Sequence, residues 1–208
     1  MIEARSLIVN TLSRCLATAA LLLRDRRGVA AIEFAFIAPI LLCMYLLTME
    51  VSQAIDTNKK LGRAGSMVGD LITQQDSIQR SEVDAIMQIG DSLLQPYTRS
   101  KPTITVTAVQ ISNEATPRAT VLWSRKMTNG AFAAASKAGD AASVPASLLA
   151  AGTFLIKVDA ALAYKPVILY SAGQKAAFGI QAAFDGISMG ETYYLRPRMS
   201  TSISCTGC

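Results

Sequence analysis

From Val29 to Met49 the chain is apolar apart from one carboxylate, Glu33, and that run sets the reading of everything after it. About 20 residues at 1.5 Å rise cover a hydrocarbon core of about 30 Å, so the run predicts a membrane-spanning helix. Polar residues begin at Glu50, Ser52 and Gln53. Val51, Ile55, Leu61, Met67, Val68, Leu71 and Ile72 continue a loose helical stripe to about residue 73. Gly62, Gly65 and Gly69 weaken that helix, and their spacing suits either close packing or flexibility. Pro39 removes one backbone hydrogen bond inside the span and predicts a kink or local loosening. Ala31, Ala35 and Ala38 share one face, fit either for helix packing or for lipid.

A second helix is expected from Ser81, with Glu82, Val83 and Asp84 opening it, Val83, Ile86, Met87, Gly90, Leu93 and Leu94 facing inward, and Pro96 ending it. Beyond it the period changes to two. Thr103 to Ile111 alternates polar and apolar as a half-buried antiparallel strand does. Ala119 to Met127 is a second strand, broken by Asn129-Gly130, and the Ala/Ser/Gly-rich stretch to Gly139 reads as a surface connection. A helical turn at 147–151, a third strand at 153–164, an ambiguous stretch at 165–186 and a last strand or hairpin at 187–200 complete the pattern. The fold class is α+β: a long N-terminal transmembrane helix followed by an antiparallel sheet with accessory helices.

The junction before the span carries the chemistry. Arg24-Asp25-Arg26-Arg27 ends in Gly28, and Val29-Ala30-Ala31-Ile32-Glu33-Phe34 follows. A carboxylate at the centre of a spanning helix costs about 2.5–3.5 kcal/mol on insertion scales, less near the end where it reaches the interface. The order of basic cluster, glycine, four small or apolar residues, Glu-Phe and apolar run resembles the processing site of type IV prepilins, the Flp/Tad branch above all. Residues 28–42, with Ile32 to Ala35 and Ala38-Pro39, are similar to the start of TadE/TadG-like minor pseudopilins. Tyr194-Leu195-Arg196-Pro197-Arg198 adds a weaker echo of their C-terminal strand.

The resemblance implies a pilin-like plan and cleavage by prepilin peptidase between Gly28 and Val29. Glu33 and Phe34 would then serve subunit docking, the carboxylate pairing with the amine freed on Val29 or on a neighbouring subunit. It implies a minor pseudopilin or assembly subunit of a Flp/Tad-type pilus. The expected partners are the peptidase, other pilins and pseudopilins, inner-membrane assembly proteins and membrane lipid. The expected domains are a leader at 1–28, the transmembrane helix at 29–49, a helical extension with the second helix at 50–95, and a β-rich exterior domain at 96–208. The exterior part is far larger than in major Flp pilins and too small for the von Willebrand-type domain of some TadG relatives.

Arg24, Arg26 and Arg27 place the N-terminus in the cytoplasm by the positive-inside rule, and the exterior domain outside the inner membrane. The leader's residues 7–23 form a second apolar stretch interrupted by Asn10 and Arg14, read as an in-plane amphipathic helix, with a second span as the costlier alternative. Charged residues make up only 17% of the chain. The net charge of +5 is mostly the leader's, where five arginines face Glu3 and Asp25. No basic stripe with interleaved aromatics is present, which excludes a nucleic-acid reading.

Of four cysteines, Cys15 falls in the leader and Cys43 in the span. Cys205 and Cys208 end the chain as Cys-Thr-Gly-Cys, a disulfide in an oxidising compartment or else a pair of free thiols. The chain has no histidine, which argues against a zinc site and against the Gly186-x-Ser188-x-Gly190 match as a nucleophile elbow; that match reads as a glycine-flanked turn. Asp76, Glu82, Asp84 and Asp91 read as solvated helix positions. No catalytic set, metal site or cofactor is expected. A signal-anchored periplasmic binding or envelope-attachment module is the competing function, and a membrane-bound enzyme is a third.

Overall fold

A computed structural model describes residues 28–167 and 187–208. The expectations for the leader, including its helix at 7–23, Cys15, Arg24, Arg26 and Arg27, and for most of 165–186 lie outside the described residues. The chain divides into two compact units, residues 1–49 and 50–208.

Helix α1 runs Val29–Thr73 and contains Pro39. Its leucine-, alanine- and methionine-rich composition favours the helix, and the glycines are confined to its last third. After it come β1 (Ser77–Gln79), α2 (Arg80–Ser92), β2 (Thr103–Ile111), β3 (Ala119–Thr128), β4 (Ala131–Ala134), β5 (Phe154–Ala163), β6 (Ser188–Leu195) and β7 (Ser204–Thr206). A short 3₁₀ turn occupies Ala146–Leu148. The architecture is α+β, with an antiparallel five-stranded sheet in the order β4-β3-β2-β5-β6.

The glycines of α1 have a packing role. In the 50–208 unit they face β5 and β6: a Cβ on Gly65 would meet the Tyr193 ring at 3.1 Å and Ala160 at 3.2 Å, and one on Gly69 would meet Val158 at 3.3 Å. Removing three side chains from one face lets the sheet sit close on the helix. Val68 and Ile72 then join Ile104, Val106, Met127, Ile156 and Val158 in the principal core. At Gly90 of α2 the space is filled by Val68 and Ile104, at 2.8 and 2.9 Å from a built Cβ, so α2 closes on both α1 and the sheet there.

Four sequence expectations change. Helix α2 is capped at Gln79 rather than Ser81: Gln79 and Glu82 form a capping box, with the Gln79 N–H donating to the Glu82 carboxylate at 2.8 Å. The stretch after Asn129-Gly130 begins with a strand, not a surface connection. Asn129 and Gly130 take φ of 53° and 81°, as a two-residue primed turn demands, and β4 returns along β3. Ser188 and Gly190 lie in strand β6, not in a turn, because residues 188–195 pair with β5 throughout. Asp84 is not a solvated helix position, since it forms an ion pair with Arg125 of β3.

The tail after β6 carries a strand that periodicity did not announce. β7 pairs in parallel with β1, placing Cys205 opposite Ile78. The Trp123 indole N–H donates to the Ile203 carbonyl at 2.8 Å, and Ile203 is fully buried. The Arg198 N–H donates to the Thr73 carbonyl at 2.9 Å, giving a partner to one of the orphan carbonyls that end α1. Cys205 and Cys208 are joined by a disulfide that closes the tail.

Candidate membrane-anchor and docking site

The first third of α1 exposes what a soluble helix would bury. Ile32, Phe34, Phe36, Ile40, Leu41, Leu42, Met44 and Tyr45 are each more than half exposed. Fully burying one such large apolar side chain stabilises by about 1.5–3 kcal/mol, so a run of them on all sides in water is untenable. Its most apolar 18-residue window has a mean hydropathy of 2.2, and none of that window is buried within the chain. By length and composition, α1 is a helix that can cross a membrane.

Gly28 stands immediately before this helix and is exposed, with no atom within 4 Å of where a Cβ would lie. Val29 is the first helical residue. Glu33 is four positions on, on the same face one turn later, and exposed. Phe34 beside it is also exposed. The free thiol of Cys43 is exposed on the same stretch. The processing candidates Gly28 and Val29 and the docking candidates Glu33 and Phe34 therefore occupy accessible positions within seven residues at one helix end, whereas Arg24, Arg26 and Arg27 lie outside the described residues.

The model of the TadE-like protein family matches residues 28–68, from the exposed glycine to the buried part of the same helix. This stretch is TadE-like. The chain is accordingly consistent with a TadE/TadG-like protein of the Flp/Tad system, a family of structural pilus proteins. No curated protein and no solved structure matches the chain.

The TadE-like stretch also contains a site that the hydropathy pattern concealed. Glu50, where polar residues resume, is almost wholly buried, with 1% of its surface exposed. Its Oε1 accepts from the Tyr164 hydroxyl at 2.6 Å, and its Oε2 from the Val167 N–H at 3.0 Å. Tyr164 stacks on Tyr97, with ring centroids 5.5 Å apart. The Tyr97 hydroxyl in turn accepts from the Lys165 N–H at 2.8 Å.

Arg99 lies over this pair, 4.7 Å from the Tyr97 centroid and 5.7 Å from that of Tyr164. Such contacts contribute about 0.5–2 kcal/mol each, depending on desolvation. Burial, then the hydrogen bond to Glu50 and its charge, push the Tyr164 phenol well above its ordinary pKa; Arg99 opposes them more weakly. The phenol is thus held as a neutral donor to the carboxylate. This arrangement fixes the end of β5 to the helix just past the apolar run.

Three separated segments make this cluster: 50–53, 97–100 and 163–167. Nothing in local periodicity joins them. The one available signal was the pair Tyr97 and Tyr164, each followed closely by a basic residue, Arg99 and Lys165, an arrangement too common to single out.

Proposed function

We propose that the chain is a minor pseudopilin, an assembly or initiation subunit of a Flp/Tad-type pilus. The observation that carries this reading is the exposed Gly28-Val29 junction, standing at the start of both the TadE-like match and the apolar helix, with Glu33 one turn inside. In this reading prepilin peptidase cuts after Gly28, and the peptide 1–28 is a leader. Residues 29–49 hold the protein in the bacterial inner membrane with the N-terminus cytoplasmic, oriented by Arg24, Arg26 and Arg27.

The new Val29 amine and the Glu33 carboxylate form complementary charges for docking, either within one subunit or between neighbours, and Phe34 packs beside them. A carboxylate in a nonpolar setting needs such a partner. Residues 50–95 and the β-rich part at 96–208 form the exterior portion, which contacts other pilins, pseudopilins and assembly proteins. The Cys205–Cys208 disulfide suits an oxidising exterior compartment.

Mapping the mature N-terminus by mass spectrometry, with the peptidase co-expressed, tests this reading. A mature chain starting at Val29, and an uncut precursor for Gly28→Ala, are expected. An intact Met1 in the wild type would instead indicate a plain signal-anchored module.

A further inference from the structure

The last residues of the chain are docked through a few contacts. β7 is three residues long, and its parallel pairing with β1 sets Ser204, Cys205 and Thr206 opposite Ser77, Ile78 and Gln79. Just before it, Ile203 is fully buried, and its carbonyl accepts from Trp123, the chain's one tryptophan. Gln79 serves twice, as the last partner of β7 and as the cap of α2. A short tail therefore ties β3, β1 and the start of α2 together.

The Cys205–Cys208 ring closes that tail. The two Cα atoms lie 5.7 Å apart, within ordinary disulfide reach. Gly207, at φ of 78°, turns the chain between them in left-handed backbone that a side chain would strain. The ring lies against the first residue of α2, with the Arg80 Cβ 4.0 Å from a Cβ built on Gly207. Both cysteines are half-buried and pack on the principal core. They also line a cleft of about 420 Å³ with Leu122, Trp123 and Ile203. The disulfide thus rests on the core on one side and is open to an attacking thiolate on the other.

We propose that this disulfide is a redox-operated clasp, opened by a protein dithiol, that sets whether the tail stays docked on the 50–208 unit. A thiolate of the dithiol attacks one sulfur, forming a mixed disulfide and releasing the other cysteine as a thiolate. The attacker's second thiol then resolves the mixed disulfide. The attacker leaves as a disulfide, and Cys205 and Cys208 remain as two thiols, having taken up two electrons and two protons. Opening a ring of four residues returns to the free tail the freedom that closure removed, which lowers the ratio of docked to open tail by about 20-fold. Undocking uncovers Ile78 and Trp123 beside the exposed Leu122, so reduction turns a piece of core into apolar surface. The clasp goes beyond the pilus reading and does not rest on it.

The test compares the oxidised full chain in neutral detergent with the same chain treated with dithiothreitol, without denaturant. Alkylation and peptide mapping should find Cys205 and Cys208 modified only after reduction. Hydrogen exchange should then quicken by about 20-fold at residues 77–79 and 203–208, while β2 and β5 keep their protection. The Trp123 emission should move to longer wavelength as the indole meets water, and reoxidation with oxidised glutathione should reverse both changes. Cys205→Ser combined with Cys208→Ser should match the reduced wild type and ignore dithiothreitol. Should that variant fail to fold, the wild type cycled between its two redox states still decides. A disulfide that dithiothreitol leaves intact in the folded chain, or tail exchange unchanged by reduction, would overturn the proposal. Equal loss of protection in β2 and β5 would overturn it too, because the disulfide would then support the whole fold rather than the tail.

Discussion

The Tyr164 hydroxyl donates a 2.6 Å hydrogen bond to the Glu50 carboxylate, joining the C-terminal end of β5 to the point on α1 where the apolar run stops. Glu50 is thereby a tether rather than the first solvated residue after a span. Its carboxylate also accepts from the Val167 N–H. A hydrogen bond to a charged group contributes about 1.5–3 kcal/mol, and more is lost when one partner is left buried alone. The tether holds the strand end against a helix whose glycines let the sheet approach.

That bond makes stability depend on alkaline pH. The Tyr164 pKa is raised above the ordinary tyrosine value of 10.0, so the folded protein holds its proton longer than the unfolded chain does. The contribution is fully present below about pH 10 and is lost as pH climbs from there toward the folded-state value, because the unfolded chain ionises first. Urea midpoints of the full chain in detergent between pH 8 and pH 11 should fall more steeply in the wild type than in Tyr164→Phe. Tyr164→Phe should itself be less stable at pH 8 by about 1–3 kcal/mol, since Glu50 loses a donor. Parallel pH profiles for the two proteins would contradict this account.

Elements with a repeating local pattern were legible in the sequence; those made by distant partners were not. The span, the extension to residue 73 and strands β2, β3 and β5 each carry their own period over nine residues or more. β1 and β7 are three residues each, too short for alternation to show, and meet across more than a hundred positions. Asp84 was misread because a helix surface is the ordinary place for an aspartate, and only the sheet supplies Arg125. β4 was hidden by its Ala-Phe-Ala-Ala composition, although Asn129-Gly130 is a strong hairpin signal. At the candidate site, Gly28 to Phe34 were legible as a contiguous motif. Glu50, Tyr97, Arg99 and Tyr164 were not, because their relationship exists only after folding.

Arg125 and Asp84 offer a direct measure of how α2 is held on the sheet. The Arg125 Nη2 reaches both Asp84 oxygens, at 2.8 and 2.6 Å, and the guanidinium is mostly buried. Asp84→Ala leaves that cation with no partner in a poorly hydrated place and should cost about 3 kcal/mol. The double variant Asp84→Ala with Arg125→Met removes the stranded charge and should recover more than half of the loss. Urea unfolding of the four proteins in a double-mutant cycle checks this, and additive losses would show that the pair is not coupled.

Gly90 tests whether close approach, rather than flexibility, explains a glycine inside a helix. In an open helix position, alanine would be favoured over glycine by about 1 kcal/mol. At Gly90 the added methyl would meet Val68 Cγ2 at 2.8 Å and Ile104 Cδ1 at 2.9 Å, both side chains being fully buried. Valine has no conformational slack to yield there, and overpacking of this kind costs about 1–3 kcal/mol. The two effects oppose each other, and the crowding is the larger. Gly90→Ala should therefore lower stability by about 1 kcal/mol, whereas Gly90→Ala combined with Val68→Ala, which opens space for the methyl, should lose less than the sum of the two single changes. A stabilised Gly90→Ala in thermal melts would mean that α2 stands off from α1 and the sheet in solution.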